Sequence, residues 1–200
     1  MSTPRWLIYP AVAVPPLVLA AVGVSHPMDL TAQSAEYWRN LHIGILPIFP
    51  LLGFAPWLVV RGRDAALSWV VGVLGFLYAA FYTGLDVLAG IGAGGLKLDD
   101  MGMATGTVFG LGRLLGQIGS YAFIAAVVLA AASGLVLGRL AALPGAVLVI
   151  LGSVLFWDDH IYFPVGVIGQ LCLAVGWVVL IVAIRGRADA LAHPPRVAVG

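Results

Sequence analysis

Trp157-Asp158-Asp159-His160-Ile161-Tyr162-Phe163-Pro164 places two acids and a histidine side by side between two long apolar runs. The run before it covers about 142–157 and the run after it about 162–184. A bilayer core about 30 Å thick takes roughly 20 apolar residues of helix. The octapeptide therefore reads as a polar link between two membrane helices. The remainder of the chain reads as a scaffold that brings this cluster, and other polar residues like it, to one membrane face.

Composition points the same way. Of 200 residues 62% are hydrophobic and only 10% charged, with mean hydropathy +1.06. A soluble domain carries about 25% charged residues, so a water-facing surface around a core this large could not be built. The formal net charge of +1 and the absence of a basic block argue neither for a nucleic-acid nor for an acidic partner, and none of the former is expected. Cys172 is the only cysteine, which excludes an intramolecular disulfide and a cysteine metal knuckle. It lies in an apolar run, where a free thiol behaves as a small hydrophobe.

Working outward, six spans emerge in an all-α bundle: about 6–24, 41–60, 65–89, 119–138, 142–157 and 162–184. The first is too long for a signal-peptide core and is read as a retained helix. Tyr37 and Trp38 in the following loop suit the headgroup layer. Residues 90–118 are rich in glycine and read as a loop and then a shallow helix on the outer face; the alternative is one long kinked helix over 104–138. Residues 1–187 form a single transmembrane domain, and 188–200 read as a flexible cytoplasmic tail.

On this layout Arg5, Arg61, Arg63, Arg139, Arg185, Arg187 and Arg196 share one face, against Arg39, Lys97 and Arg113 on the other. Positive residues accumulate in cytoplasmic loops, so both termini are expected in the cytoplasm of a multi-pass plasma-membrane protein. Arg113 is expected near the outer interface, since it cannot rest cheaply in hydrocarbon. It can snorkel to phosphates, pair with an outer acid or bind an anionic ligand.

The same layout gathers His26, His42 and His160 outside, with Asp29, Glu36, Asp86, Asp99, Asp100, Asp158 and Asp159. Ionisable groups at membrane depth are costly and face a bundle interior or a wet cavity. His42, Asp86 and His160 are expected to converge on one outer-leaflet cavity, with His26 and Asp158 at its rim. Tyr78 and Tyr82 share the face of Asp86 at i, i+4 and i+8 and are expected to line it. Three histidines and a carboxylate suit a divalent metal such as zinc; imidazoles on different helices can also ligate haem iron in pairs. A carboxylate neighbour would favour protonated imidazole and make the cluster sensitive to outside pH. The competing reading is structural: His26 and His42 cap helix ends, and His160 hydrogen-bonds Asp86 or Asp158. As a catalytic acid–base pair, only His160 with Asp86 or Asp158 qualifies.

His26-Pro27 after the first span, His42 at the second, Asp86 at the third and His160-x-x-x-Pro164 before the last form a pattern that resembles small multi-pass membrane proteins of bacteria. In architecture alone, the six spans resemble the substrate-binding subunits of vitamin uptake transporters. Three functions follow. One is a membrane protein whose outer His/Asp site binds a small ligand or metal, alone or as a subunit with a membrane-protein partner. The second is a membrane enzyme acting on a lipid or other amphiphile. The third is a transporter or its substrate-binding subunit, disfavoured because no span carries charge in its central third.

Overall fold

The computed structural model describes residues 5–192 and is helical throughout, with no strand among the described residues. Its helices are α1 (Ile8–Gly23), α2 (Ala35–Ile45), α3 (Phe49–Leu52), α4 (Phe54–Val60), α5 (Ala65–Leu85), α6 (Ala93–Leu98), α7 (Thr105–Gly138), α8 (Leu143–Asp159) and α9 (Val165–Ala192). A π-helical segment, Asp86–Gly92, joins α5 to α6 without a turn.

Three helical runs are long and apolar enough to cross a membrane: Ala65–Leu98, Gly102–Asp159 and Val165–Ala192. A fourth candidate is the pair Ala35–Ile45 and Phe49–Val60, bent by 42°. The bend has a local cause. Pro47 and Pro50 lack the N–H groups that the carbonyls four residues earlier would accept, so the chain breaks between α2 and α4. α1 is shorter, 16 residues, and carries Pro15 and Pro16 within it. The run Gly102–Asp159 reverses at Arg139, whose φ of 56° takes the chain out of α7, and α8 packs back against α7. α5 starts at a conventional cap, the Asp64 carboxylate accepting from the Leu67 N–H at 2.7 Å.

The stretch 90–118 corrects its sequence reading. It is helical on both sides of a short turn at 99–101, its first part ending the α5 rod and its last part opening α7. The long-helix alternative is the one seen. Glycines read as marking a loop serve close packing instead: Cβ atoms on Gly112 and Gly116 would press on Ala89 and Leu85. At 34 residues α7 is about 51 Å long, well beyond a bilayer core of about 30 Å. α9 continues to Ala192, past the expected start of the tail at 188, while 193–200, with His193 and Arg196, lie outside the described residues.

Tyr78, Phe123, Phe156, Trp177 and Leu180 fill the centre of the bundle. Helices approach closely where glycine removes the side chain: a Cβ on Gly53 would meet the Gly75 carbonyl at 2.7 Å, and one on Gly152 the Gly169 carbonyl at 2.7 Å. Large apolar side chains cover the outside, as at Trp69 (76% exposed) and Phe76 (69%) on α5. One end carries arginines against aromatics, Arg61 over Trp57 and Arg185 over Tyr9. The opposite end carries the histidines.

Candidate metal centre

Four segments meet at that end. His26 follows α1, in a loop that folds back on α2 through a 2.9 Å contact between the Ser25 and Tyr37 hydroxyls. His42 lies on α2, Asp86 opens the π segment, and His160 ends α8. One ring nitrogen each from His26, His42 and His160 lie within 4.8 Å of one another. His26 and His42 are buried, at 6% and 3% exposed, and Asp86 is fully enclosed.

Hydrogen bonding fixes which nitrogens face inward. His26 Nδ1 lies 2.8 Å from the Pro27 carbonyl, and His42 Nδ1 lies 2.7 Å from the Trp38 carbonyl. A carbonyl only accepts, so each Nδ1 carries the proton and donates. Each Nε2 of the neutral ring is then a bare lone pair. These two Nε2 atoms are 3.5 Å apart. That contact cannot be a hydrogen bond between neutral rings, since neither atom has a hydrogen to give. Two lone pairs at this distance could share one cation between them. Nitrogens on a tetrahedral zinc, each at 2.0–2.1 Å, stand about 3.4 Å apart, close to the 3.5 Å seen. His160 Nδ1 is held by the Tyr82 hydroxyl at 2.5 Å, leaving Nε2 as its free nitrogen.

Asp86 supplies the second half of the site. Its Oδ1 is 3.9 Å from His42 Nε2, and neither carboxylate oxygen has a hydrogen-bond partner among the described residues. A buried carboxylate left unpaired is strongly destabilising, by several kcal/mol in order of magnitude. A metal, or water held by one, would satisfy both oxygens and the imidazole lone pairs together.

The π segment explains how Asp86 reaches this position. The Ala93 N–H bonds back to the Leu88 carbonyl, five residues earlier, and the wider turn leaves the Ala89 carbonyl to accept from Trp38 Nε1 at 3.1 Å. Such segments recur at functional sites. Gly90 lets α2 sit against it: a Cβ there would lie 2.2 Å from His42 Cδ2. His160 has φ 52° and ψ −117°, a backbone that glycine adopts readily and other residues at a cost of about 1–3 kcal/mol. Its ring is stacked on Phe49 at 5.1 Å and Tyr82 at 5.7 Å, which hold it there.

His42, Asp86 and His160 thus lie at one place, and His26 sits among the nitrogens rather than at a rim. Asp158 is exposed and lines a neighbouring cavity. The partner of His160 is Tyr82, not Asp86 or Asp158, and the imidazole nearest the Asp86 carboxylate is His42, at 3.9 Å without a hydrogen bond. Tyr78 is buried against Tyr82 and Phe123 and lines neither cavity beside the histidines. Trp38, expected in the headgroup layer, is 3% exposed and supports His42; the Trp38-x-x-x-His42 spacing was the available signal.

Protonated imidazole is not the favoured state. Burial lowers the pKa of His26, with the Pro27 carbonyl acting weakly the other way. His160 is pushed well below its usual range, first by burial and then by charge on His26 and His42. Desolvation leads in both, against the expected protonation. Tyr162, beside His26 and His160, is pushed up to about 12 by burial and then by Asp159 and Asp29.

The His26 and His42 rings touch edge to face, with centroids 5.1 Å apart, which leaves no room for a haem macrocycle between these two.

No family model matches the chain, and no curated protein or solved structure matches it either.

Proposed function

We propose that this chain is a multi-pass membrane protein that holds a divalent metal, zinc by donor chemistry, through His26, His42 and His160, with Asp86 beside the open position. The observation that carries it is the pair of Nε2 lone pairs 3.5 Å apart, each fixed inward by an Nδ1–carbonyl bond. Three imidazoles and an open position are the ligand set of catalytic rather than closed structural zinc sites. A metal so held supplies Lewis acidity. Asp86 is placed to bind it directly or to accept a proton from water beside it.

Six crossings follow if α1 and the α2–α4 pair each count as one and Gly102–Asp159 divides at Arg139. The arginine end is then cytoplasmic and the metal end faces outward. Metal analysis of purified protein tests the centre: bound zinc is expected in the wild type, and its loss in His26→Ala, His42→Ala and His160→Ala. Wild-type protein that neither retains nor takes up a divalent metal refutes it.

A second reading, a membrane enzyme, is favoured by one further observation. Cavities of about 530 and 330 Å³ both reach His160, giving a reactant access to the centre.

A further inference from the structure

Those two cavities follow one helix. Gly106, Phe109, Gly110 and Arg113 of α7 line the larger, and Arg113, Gly116, Gln117 and Ser120 line the smaller. From 106 to 120 the helix rises about 21 Å. Leu85, Arg113, His160 and Tyr162 line both, so the cavities meet at the edge of the metal centre.

The two ends differ in chemistry. Leu85, Ala89, Phe109 and three glycines make the larger cavity mostly apolar, whereas Gln117, Ser120, Asp158 and Asp159 line the smaller. At the junction Arg113 forms no hydrogen bond or ion pair with any described residue, although Asp158 and Asp159 line the same cavity. A guanidinium beside an apolar channel, left unpaired by nearby acids, is complementary to an anion. The acids disfavour an anion further along the smaller cavity. The anion therefore belongs between Arg113 and the histidines, with any apolar portion running past Phe109.

We propose that this groove binds an amphiphile with an anionic headgroup, phosphate or carboxylate, and a single aliphatic chain. The headgroup lies against Arg113 at the metal centre, and the chain lies in the larger cavity. Placing the headgroup there rests on the metal-centre reading; the roles of Arg113 and Phe109 do not.

Dodecyl phosphate is the probe, added to the full chain in an uncharged detergent and followed by tryptophan fluorescence, since Trp38 lines one cavity and Trp157 the other. Arg113→Gln is expected to weaken binding by about 10-fold or more, the scale of one charged hydrogen bond, and Arg113→Lys by less. Inorganic phosphate and dodecyltrimethylammonium should bind far more weakly than the probe. Arg113→Gln binding equal to wild type overturns the proposal. So does inorganic phosphate binding as tightly as dodecyl phosphate, which would point to a free anion, or equal binding of the cationic chain. Zinc content is measured in the same preparations. Protein that lacks zinc yet binds the probe through Arg113 sinks the metal centre and leaves the groove, whereas zinc-loaded protein indifferent to Arg113 does the reverse.

Discussion

Gly90→Ala separates a built metal centre from a coincidence of histidines. The added methyl would lie 2.2 Å from His42 Cδ2 and 2.4 Å from Cγ. Ordinary contact begins at 3.4 Å, so the imidazole must retreat by about 1.2 Å, several times the roughly 0.2 Å tolerance of a metal–ligand bond. The ring has little freedom to do so, since its Nδ1 is tied to Trp38. Zinc affinity should fall by about 10- to 100-fold, as when a ligand loses its support. Two terms oppose each other in stability. Alanine is a better helix former than glycine by about 1 kcal/mol, while overpacking costs about 1–3 kcal/mol. The clash falls on the backbone-tied side chain of a packed helix, so net destabilisation is expected. Gly95→Ala is the control, because a Cβ there meets nothing within 4 Å. The assay is chelator competition for zinc, with thermal unfolding alongside. Gly90→Ala with wild-type zinc affinity refutes the inward placement of His42.

Asp86→Asn keeps the shape but removes the charge; zinc affinity should fall by roughly 10-fold or more, measured by the same competition. Trp38→Phe removes the 3.1 Å bond to Ala89 and should lower both zinc affinity and stability by about 1 kcal/mol, read from competition and melting curves. His160→Gly and His160→Ala both delete the imidazole, but glycine relieves the positive φ; the glycine variant should be the more stable by about 1–2 kcal/mol in denaturant titration. In the metal-free protein, His26 and His160 have folded pKa values below the unfolded value of 6.5. The unfolded chain then binds more protons, so their contribution is fully present above about pH 6.5 and is lost as pH falls. Melting at pH 5 and 7.5 should show it, and His160→Gln should flatten the dependence.

That His42, Asp86 and His160 share one end of the bundle was legible where their lateral assembly was not. Span boundaries put them near the same level, because apolar run lengths report distance along the helices. Neighbour relations between helices leave no such trace. His26 was misplaced to a rim because a loop's return path depends on contacts such as Ser25 with Tyr37, which no periodicity encodes. The π segment was invisible for another reason. Asp86 through Gly92 reads like the end of a span, and the extra residue in its turn shows only in backbone hydrogen bonds. Glycine in 90–118 was read as looseness, whereas Gly112 and Gly116 mark where α7 lies on α5 and its extension. Helix capping competed as a reading of His26 and His42 because a buried Asp86 without a hydrogen-bond partner cannot be recognised before its surroundings are known.

His26 and His42 precede the turn at Arg61–Arg63, and His160 lies far beyond it in the chain. A metal joining them would be a clasp across the molecule. It would bind the assembled bundle and not the separated parts, so free zinc at 100 times the dissociation constant would add about 2.7 kcal/mol to stability. A chelator would then do more than silence a site: it would loosen the hold between the first helices and the last pair. A chain cut at Arg61–Arg63 would stay together in zinc and come apart more readily without it.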